Sequence, residues 1–248
     1  MSRGEQSAGR VMERRPEFTR IRAVIGRSIH FRDIDPHDLD RIASLGRLRR
    51  LKDGQAAPPD GGHGRHLFVI VSGCVRLSSA TRQGREFVYA LLGPGSFYGL
   101  GNVIKGIDPR ADAEASGATE IAVIDGPGFL ALLDREPRLW RHVAVLLHKR
   151  LTHAMWAIRD NSVAPLAERL VRRLLALAAA AAPAHGAPVS LRLTQTDLGR
   201  MLGTSRSRIN GILKRLERER LVEVSYRTIK LSDLAGLHRL AGPEVFTF

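Results

Sequence analysis

The sequence contains few of the residues on which several large classes of protein depend. Of its 248 residues, only one is a cysteine, and 5% are aromatic. The single cysteine, Cys74, excludes an intramolecular disulfide and fits a reducing compartment. It also excludes a cysteine-ligated iron–sulfur cluster held by one chain, because such clusters need several thiolates. No apolar run approaches the roughly 20 residues of a membrane span, and residues 1–28 lack the apolar stretch of a signal peptide. We therefore expect a cytoplasmic protein without a membrane partner.

Motifs for catalysis and for metal binding are also absent. There is no nucleophile elbow, no phosphate-binding loop, and no CxxC, HxxxH or HExxH spacing. His63 and His66 are three residues apart, but they fall in a predicted loop and a predicted strand. Cys74 follows a turn glycine in a predicted strand, where a small buried thiol is common. We predict no enzyme activity, no catalytic residue, no metal site and no cofactor. A haem-ligand role for Cys74 stays open as an alternative that no motif supports.

Positive charge is in excess and is densest near the C-terminus. The formal net charge is +14, and residues 192–230 contain ten basic and four acidic residues. Such a patch favours a partner that carries phosphates. An anionic membrane surface is the rival, but this basic stretch lacks the interleaved aromatic residues of a membrane-surface helix.

Two short amphipathic helices, separated by a glycine, are predicted within this basic stretch. The first covers residues 195–202, with Thr194 as its N-cap and Asp197 completing a capping box. Gly203 ends it, because glycine adopts the left-handed conformation at low steric cost. The second covers residues 206–218 and is capped by Thr204-Ser205. Two short helices around such a turn predict a helix-turn-helix.

The second helix has an apolar face and a polar face. Ile209, Ile212, Leu213 and Leu216 recur at helical spacing and are expected to be buried. We predict that base edges are read in the major groove, where Arg pairs with guanine and Asn with adenine, by Arg206, Ser207, Asn210 and Lys214. We predict phosphate contacts from Thr194, Gln195, Thr196 and Arg208. Two further short strands, at residues 221–224 and 228–231, predict a wing. The plainer alternative is a solvated amphipathic helix in an ordinary bundle.

The segment TSRSRINGILKRLERERLVE resembles the recognition segment of the Crp/Fnr family of bacterial transcription regulators. The resemblance covers about residues 29–234 and implies an α+β fold. Its parts are an N-terminal cyclic-nucleotide-binding-like β-roll (a jelly-roll sensor domain), a long dimerisation helix and a C-terminal winged helix-turn-helix. The predicted divisions are a basic, disordered or loosely helical extension (1–28), the roll (29–136), the dimerisation helix (137–163), the DNA-binding domain (164–235) and an unassigned tail (236–248).

The pattern within each division agrees with this scheme. Residues 47–125 contain short strands separated by glycine turns, which indicates a sandwich or jelly-roll. We predict strands at residues 48–51, 66–72, 74–79, 87–92 and 119–124. After Pro137, apolar residues recur every 3.5 positions, which is typical of a coiled-coil seam. The predicted dimer seam consists of Trp140, Ala144, Leu147, Leu151, Ala154 and Ile158. A second stripe, Leu139, Val143 and Leu146, is expected to pack on the roll. One broad core-facing stripe in a monomer is the alternative.

The predicted effector loop departs from the pattern of the family's cyclic-nucleotide binders. Those proteins carry a Glu that takes the ribose hydroxyl and an Arg that takes the cyclic phosphate. Leu100 stands in the place of the Glu, and Ala111 follows the candidate Arg110. The missing carboxylate removes a buried hydrogen bond. We therefore keep Gly99, Leu100 and Arg110 as effector-pocket candidates, but we do not expect cyclic AMP to bind.

The sequence thus predicts a homodimeric DNA-binding transcriptional regulator that reads a palindrome. The resemblance adds RNA polymerase as a partner. Family members that read a TGTGA- or TTGAT-like half-site carry Glu directly after the recognition Arg and a second Arg four residues later. Ser207 and Gly211 occupy those positions here, which predicts a different half-site. The alternative function is a small-molecule-binding signalling module whose winged helix mediates protein contacts.

Overall fold

A computed structural model of the chain describes residues 16–28, 31, 33–57, 65–106, 112–181 and 189–242. Two lobes are joined by a long helix. The N-terminal lobe contains the following helices and strands, in chain order: α1 (Pro16–Arg27), α2 (Pro36–Ser44), β1 (Gly46–Leu51), β2 (His66–Ser72), β3 (Val75–Ala80), β4 (Glu86–Leu92), β5 (Phe97–Tyr98), α3 (Leu100–Lys105), β6 (Asp112–Ala115), β7 (Thr119–Asp125) and α4 (Gly126–Arg135).

The strands of this lobe form two antiparallel sheets. One sheet has the order β1-β7-β2-β5, and the other has the order β4-β3-β6. Between them lies an apolar cluster that includes Phe68, Ile70, Val75, Tyr98 and Ile121. The predicted roll is therefore confirmed, and the five predicted strands agree with β1, β2, β3, β4 and β7 to within two residues at each end. The short strands β5 and β6 were not predicted.

Residues 16–28 are part of the roll, and the prediction of a disordered or loosely helical extension is wrong for them. Ile21 and Ile25 are separated by one helical turn on α1 and are fully buried. They belong to the apolar cluster that joins the roll to its flanking helices. The hydroxyl of Ser28, just after α1, donates to the carbonyl of Gly95 at 2.8 Å. This apolar stripe is short, and the arginines on the outer face of α1 made the segment look polar in the sequence. Residues 1–15 lie outside the described residues.

The long helix begins with a 3-10 turn, Pro137–Leu139, and continues as α5 (Trp140–Val163). Leu139, Val143 and Leu146 are buried against the roll, as the second stripe predicted. Ala164 adopts an extended conformation before Pro165, which ends the helix because proline disfavours a helical residue in front of it.

The C-terminal lobe is a winged helix. It contains α6 (Leu166–Ala181), β8 (Val189–Leu191), α7 (Gln195–Leu202), α8 (Arg206–Arg218), β9 (Val222–Ser225), β10 (Thr228–Leu231) and α9 (Leu234–Ala241). The strands pair antiparallel in the order β8-β10-β9. Helix α9 crosses the predicted boundary at residue 235, and Leu237 and Ala241 are fully buried in the winged-helix core. The predicted unassigned tail is therefore corrected for residues 236–242, which belong to this lobe; residues 243–248 lie outside the described residues.

The predicted α+β class is confirmed by this arrangement. Among the described residues, every helix is too short or too polar to serve as a membrane span. In the same part of the chain, no three or more His, Cys, Asp or Glu side chains converge in a way that would hold a metal ion.

Candidate nucleic-acid interface

The turn between α7 and α8 has the geometry that the sequence predicts. Thr194 and Asp197 form the capping box: the Asp197 amide donates to Thr194 Oγ1 at 3.1 Å, and the Thr194 amide donates to Asp197 Oδ2 at 3.0 Å. Gly203 ends α7 in the left-handed conformation, with φ of 63°. Ser205 caps α8 by accepting a hydrogen bond from the Arg208 amide at 3.3 Å. Both predicted helices are confirmed with the predicted bounds.

Gly199 fixes how closely the two helices approach. A Cβ atom at this position would lie 2.7 Å from the carbonyl oxygen of Thr204, which is too close for any side chain. A backbone carbonyl cannot give way as a flexible side chain can. Gly199 was not among the residues predicted from the sequence, although a glycine inside an otherwise good helix is a signal for such a contact.

The recognition helix α8 buries one face and exposes the other. Ile209, Leu213 and Leu216 are fully buried in the winged-helix core. The exposed or half-buried face comprises Arg206, Ser207, Arg208, Asn210, Gly211 and Lys214. A Cβ atom on Gly211 would have no heavy atom within 4 Å outside its own helix. The groove-reading residues predicted from the sequence therefore share one accessible surface.

The N-terminus of α7 lies beside this reading surface. Gln195 Nε2 donates to Asn210 Oδ1 at 3.3 Å, which links the first turn of α7 to the middle of α8. The Thr194 hydroxyl is already engaged, because it donates to Asp197 Oδ2 at 2.6 Å. The first backbone amides of α7 have no partner within the helix, so those of Gln195 and Thr196 are the donors left for a phosphate.

The wing turn presents two residues, Tyr226 and Arg227, that were not predicted as DNA contacts. Tyr226 at the tip of the β9–β10 turn is 90% exposed, and Arg227 has φ of 54°. The wing is braced against α8, since the Val224 amide donates to Glu217 Oε1 at 2.8 Å. An arginine and a tyrosine on a turn next to a basic helix are signals for a phosphate contact.

Asp197 connects the winged helix to the roll. Burial alone would raise the pKa of its carboxyl, but hydrogen bonds from Thr194 and Arg76 outweigh burial and hold the pKa below the ordinary value of 3.8. Arg76 lies on β3 of the roll, and its Nε donates to Asp197 Oδ1 at 3.1 Å. Asp197 is therefore a carboxylate at neutral pH and pairs with a cation of the other lobe.

Of the three predicted effector-pocket residues, the structure describes two, Gly99 and Leu100. Gly99 has φ of 87°, and a Cβ atom there would lie 2.4 Å from the carbonyl oxygen of His66. Leu100 is 2% exposed and packs in the apolar cluster that contains Phe97, Val103 and Phe129, outside the space between the two sheets. It begins helix α3, where the sequence predicted a loop. Arg110 lies outside the described residues.

Cys74, the candidate haem ligand, is held in its protonated thiol form. Its amide donates to Thr119 Oγ1 at 3.1 Å, and burial together with the negative charge of Asp197 raises the pKa of its thiol to about 11. A thiol with a raised pKa is a poor metal ligand at neutral pH, because the thiolate is the binding form.

Most of the predicted dimer seam lies on the surface of α5. Ala144, Leu147, Leu151, Ala154 and Ile158 are exposed, with Leu151 and Ile158 more than half accessible. Met155, which was not predicted, extends this apolar surface. Trp140 differs from the rest, because it is partly buried against the cluster between the roll and its helices.

Comparisons with known proteins agree with this geometry. The Crp-like helix-turn-helix domain matches residues 168–240, and the cyclic nucleotide-binding domain matches residues 48–136. Over 211 residues the chain is 28% identical to the cyclic AMP receptor protein of Thermus thermophilus. The aligned region covers 85% of this chain and 95% of that protein. Over 165 residues it is 26% identical to the cAMP-activated global transcriptional regulator CRP of Haemophilus influenzae. This aligned region covers 66% of this chain and 74% of that protein.

The fold is also similar to solved structures. A transcriptional regulator of the CRP family from Thermus thermophilus superposes with a TM-score of 0.64 at 23% identity, covering 81% of this chain and all of that one. The roll, the long helix, the winged helix and the two domain matches lead to one conclusion. The chain belongs to the Crp/Fnr family of DNA-binding transcriptional regulators.

Proposed function

We propose that this regulator works as a homodimer on a two-fold symmetric DNA site. The observation that carries the proposal is the combination of two exposed surfaces on one chain. The apolar stripe of α5, from Leu147 to Ile158, has no covering element among the described residues, while α8 presents a basic reading face. A two-fold axis along α5 would bury the stripe. Two copies of α8 that are about 34 Å apart on DNA would then enter successive turns of the major groove.

Base reading in this proposal comes from the exposed face of α8. Arg206 in its first turn pairs with a guanine, and Asn210 one turn later pairs with an adenine. Arg208 and the α7 amides of Gln195 and Thr196 meet phosphates and fix the register. Lys214, which the sequence placed on the base-reading face, is assigned to a phosphate, because its ammonium lacks the bidentate geometry that base reading favours. Without the charged readers of TGTGA-type proteins at positions 207 and 211, the preferred half-site differs from TGTGA.

The proposed effector is not cyclic AMP, although the two named relatives are described as cyclic AMP regulators. The support is the side chain at position 100, an apolar leucine packed out of solvent where the family's carboxylate takes the ribose hydroxyl. The raised pKa of Cys74 argues against a thiolate-bound haem. In this proposal the protein acts in the cytoplasm and contacts RNA polymerase. Its function requires neither a catalytic residue nor a membrane.

Selection from random DNA with the purified full chain tests the proposal. Two copies of one half-site, related by a dyad and centred about 10 base pairs apart, are the expected result. Light scattering on the same sample should give twice the mass of the 27.3 kDa chain. Selection of a single unsymmetric site, or a monomer mass in the DNA-free and DNA-bound samples, would contradict the proposal.

A further inference from the structure

The roll and the winged helix are held together by ion pairs that cross between the lobes. On one side of the contact, Arg200 of α7 donates from Nη1 to Glu86 Oε2 at 2.7 Å, and Arg76 bridges Glu86 and Asp197. On the other side, Arg227 of the wing turn pairs with Asp53 of the roll at 3.0 Å. We call the residues Arg76, Glu86, Asp53, Asp197, Arg200 and Arg227 the latch.

An apolar contact lies beside these pairs. Strand β4 is an edge strand of the roll, and α7 packs against it. Val88 of β4 is 1% exposed and belongs to the winged-helix core cluster, with Leu91 packed against that cluster. An edge strand whose side chain is buried in the other lobe shows that the two lobes are specifically docked.

The docked roll occupies space next to the DNA-reading surface. A cleft of about 210 Å³ separates the lobes, and it is lined by Asp53 and Gly117 of the roll and by Arg192, Thr194 and Arg227 of the winged helix. Thr194 begins α7, whose first turn contacts Asn210 of the recognition helix. Asp53 and Gly117 of the roll therefore line the same cleft as the N-cap of α7 and the wing turn, the two segments that flank the recognition helix.

Asp53 offers the wing cation the same kind of partner as DNA does. Hydrogen bonds from the Gly117 amide and from Arg227 lower the pKa of the Asp53 carboxyl, so it is fully ionised at neutral pH. The Gly117 amide donates at 2.7 Å and fixes the carboxylate toward the wing. A carboxylate oxygen and a phosphate oxygen accept the same hydrogen bonds from a guanidinium, so a phosphate that binds Nη1 of Arg227 competes with Asp53 for that donor.

We propose that the latch keeps the winged helix in a docked position in which the roll, through Asp53, competes with DNA phosphate for Arg227. Arg76 and Glu86 anchor α7 through Asp197 and Arg200, and Asp53 blocks the wing. DNA binding then requires that these ion pairs open, so an effector or a partner that moves the roll raises DNA affinity. This inference rests on the proposed DNA-binding function and concerns its regulation.

The test compares two variants with the same change of charge on the same lobe. Asp53→Asn with Glu86→Gln removes the two roll carboxylates of the latch. Asp112→Asn with Glu114→Gln removes two exposed carboxylates of β6, for which no ion pair to the winged helix is present among the described residues. Fluorescence anisotropy on DNA selected by the wild-type protein measures affinity without effector. The latch variant should bind about five- to tenfold more tightly than the control variant, as expected for a modest coupling free energy.

Equal affinities of the two variants, or weaker binding by the latch variant, would overturn the proposal. A second set of variants exchanges charge across the contact, for the case in which the latch variant does not fold. Glu86→Arg should bind DNA more tightly than the matched Glu114→Arg. Adding Arg200→Glu to Glu86→Arg should return the DNA affinity to the wild-type level. If Glu86→Arg and the double exchange bind alike, the latch is excluded. These results differ from a failure of the proposed function itself, in which the wild-type protein selects no DNA at all.

Discussion

Arg76 in the roll and Asp197 in the winged helix are 121 residues apart in sequence and form a hydrogen bond of 3.1 Å between Nε and Oδ1. Asp197 is also the capping-box residue of α7, so one carboxylate serves the local structure of a helix and the contact between two lobes. The side chains are 12% and 15% exposed, which shields the pair from solvent.

Replacing Asp197 with Ala should therefore destabilise the protein more than a usual cap substitution. The change removes the capping acceptor and leaves Arg76 with fewer partners in a nearly buried position. The free energy of unfolding should fall by about 1–3 kcal/mol, measured by urea denaturation. Asp112→Ala, on an exposed strand, is the matched control, and equal losses from both variants would show that neither contact matters.

The same variant has a pH signature that separates the ion pair from simple packing. The pKa of Asp197 is lower in the folded protein than in the unfolded chain, so its stabilisation is complete above the unfolded value and is lost as pH falls through the folded value. The difference between the wild type and Asp197→Ala should shrink from about pH 5 to about pH 3. A constant difference over that range would contradict a charged Asp197.

The α5 surface gives a prediction about assembly. Leu147→Asp with Leu151→Asp places two carboxylates in the centre of the exposed stripe, where a dimer would have to bury them, so the protein should become monomeric and lose operator binding. Val145→Asp with Val163→Asp is the control, because these exposed valines share the side of α5 away from Leu147 and Leu151, and the two changes add the same charge. Light scattering measures the mass. A stable dimer of the Leu147/Leu151 variant would disprove the seam.

The effector position gives a prediction about ligands. Cyclic AMP at micromolar concentration should leave DNA affinity unchanged, because Leu100 offers no acceptor for the ribose hydroxyl and is packed in an apolar cluster. Calorimetric titration and anisotropy on operator DNA measure binding and its consequence, with 5′-AMP as the control for unspecific nucleotide binding. Micromolar affinity for cyclic AMP alone, accompanied by tighter DNA binding, would refute the prediction.

Two single substitutions on α8 should separate base reading from phosphate binding. Arg206→Ala should relax the preference at one guanine of the half-site and cost about 1–3 kcal/mol on the best sequence. Lys214→Ala should weaken binding to all sequences alike and reduce the slope of affinity against salt by about one. Each variant removes one exposed cation from the same helix, so each controls for the other. The assignment of roles fails if both variants change sequence preference equally.

The parts of the molecule that local signals specify were predictable from the sequence. The capping box at Thr194 and the left-handed Gly203 fix α7 and the turn, and their consequences are confirmed to the residue. Helix α9 was not predicted, because its apolar stripe is short and is buried only by packing on α6 and the rest of the winged-helix core. The latch had no sequence signal, since Asp53 and Arg227 are 174 residues apart and neither follows a motif. Contacts between lobes depend on how two finished folds meet, which periodicity and capping do not encode.

The reading face of α8 gives the sharpest prediction about specificity. Ser207 and Gly211 occupy the positions where TGTGA-reading family members carry Glu and Arg, and both positions are exposed. A Cβ atom on Gly211 would meet no heavy atom within 4 Å, and replacing a mid-helix glycine with arginine improves helix propensity by up to about 1 kcal/mol. Ser207→Glu with Gly211→Arg should therefore fold normally, keep Arg206 in place, and change the selected half-site to a TGTGA-like sequence.

The physical basis of this change is that each restored bidentate contact contributes about 1–3 kcal/mol of discrimination between bases. Selection from random DNA with the wild type and the double variant, in parallel and at the same salt concentration, measures the change. Ser207→Gln with Gly211→Met adds similar bulk without charge and should not produce the TGTGA half-site. If the wild-type protein already selects an unaltered TGTGA palindrome, then Ser207 and Gly211 do not determine its specificity, and the preference must come from Arg206, Asn210 and the shape of the DNA.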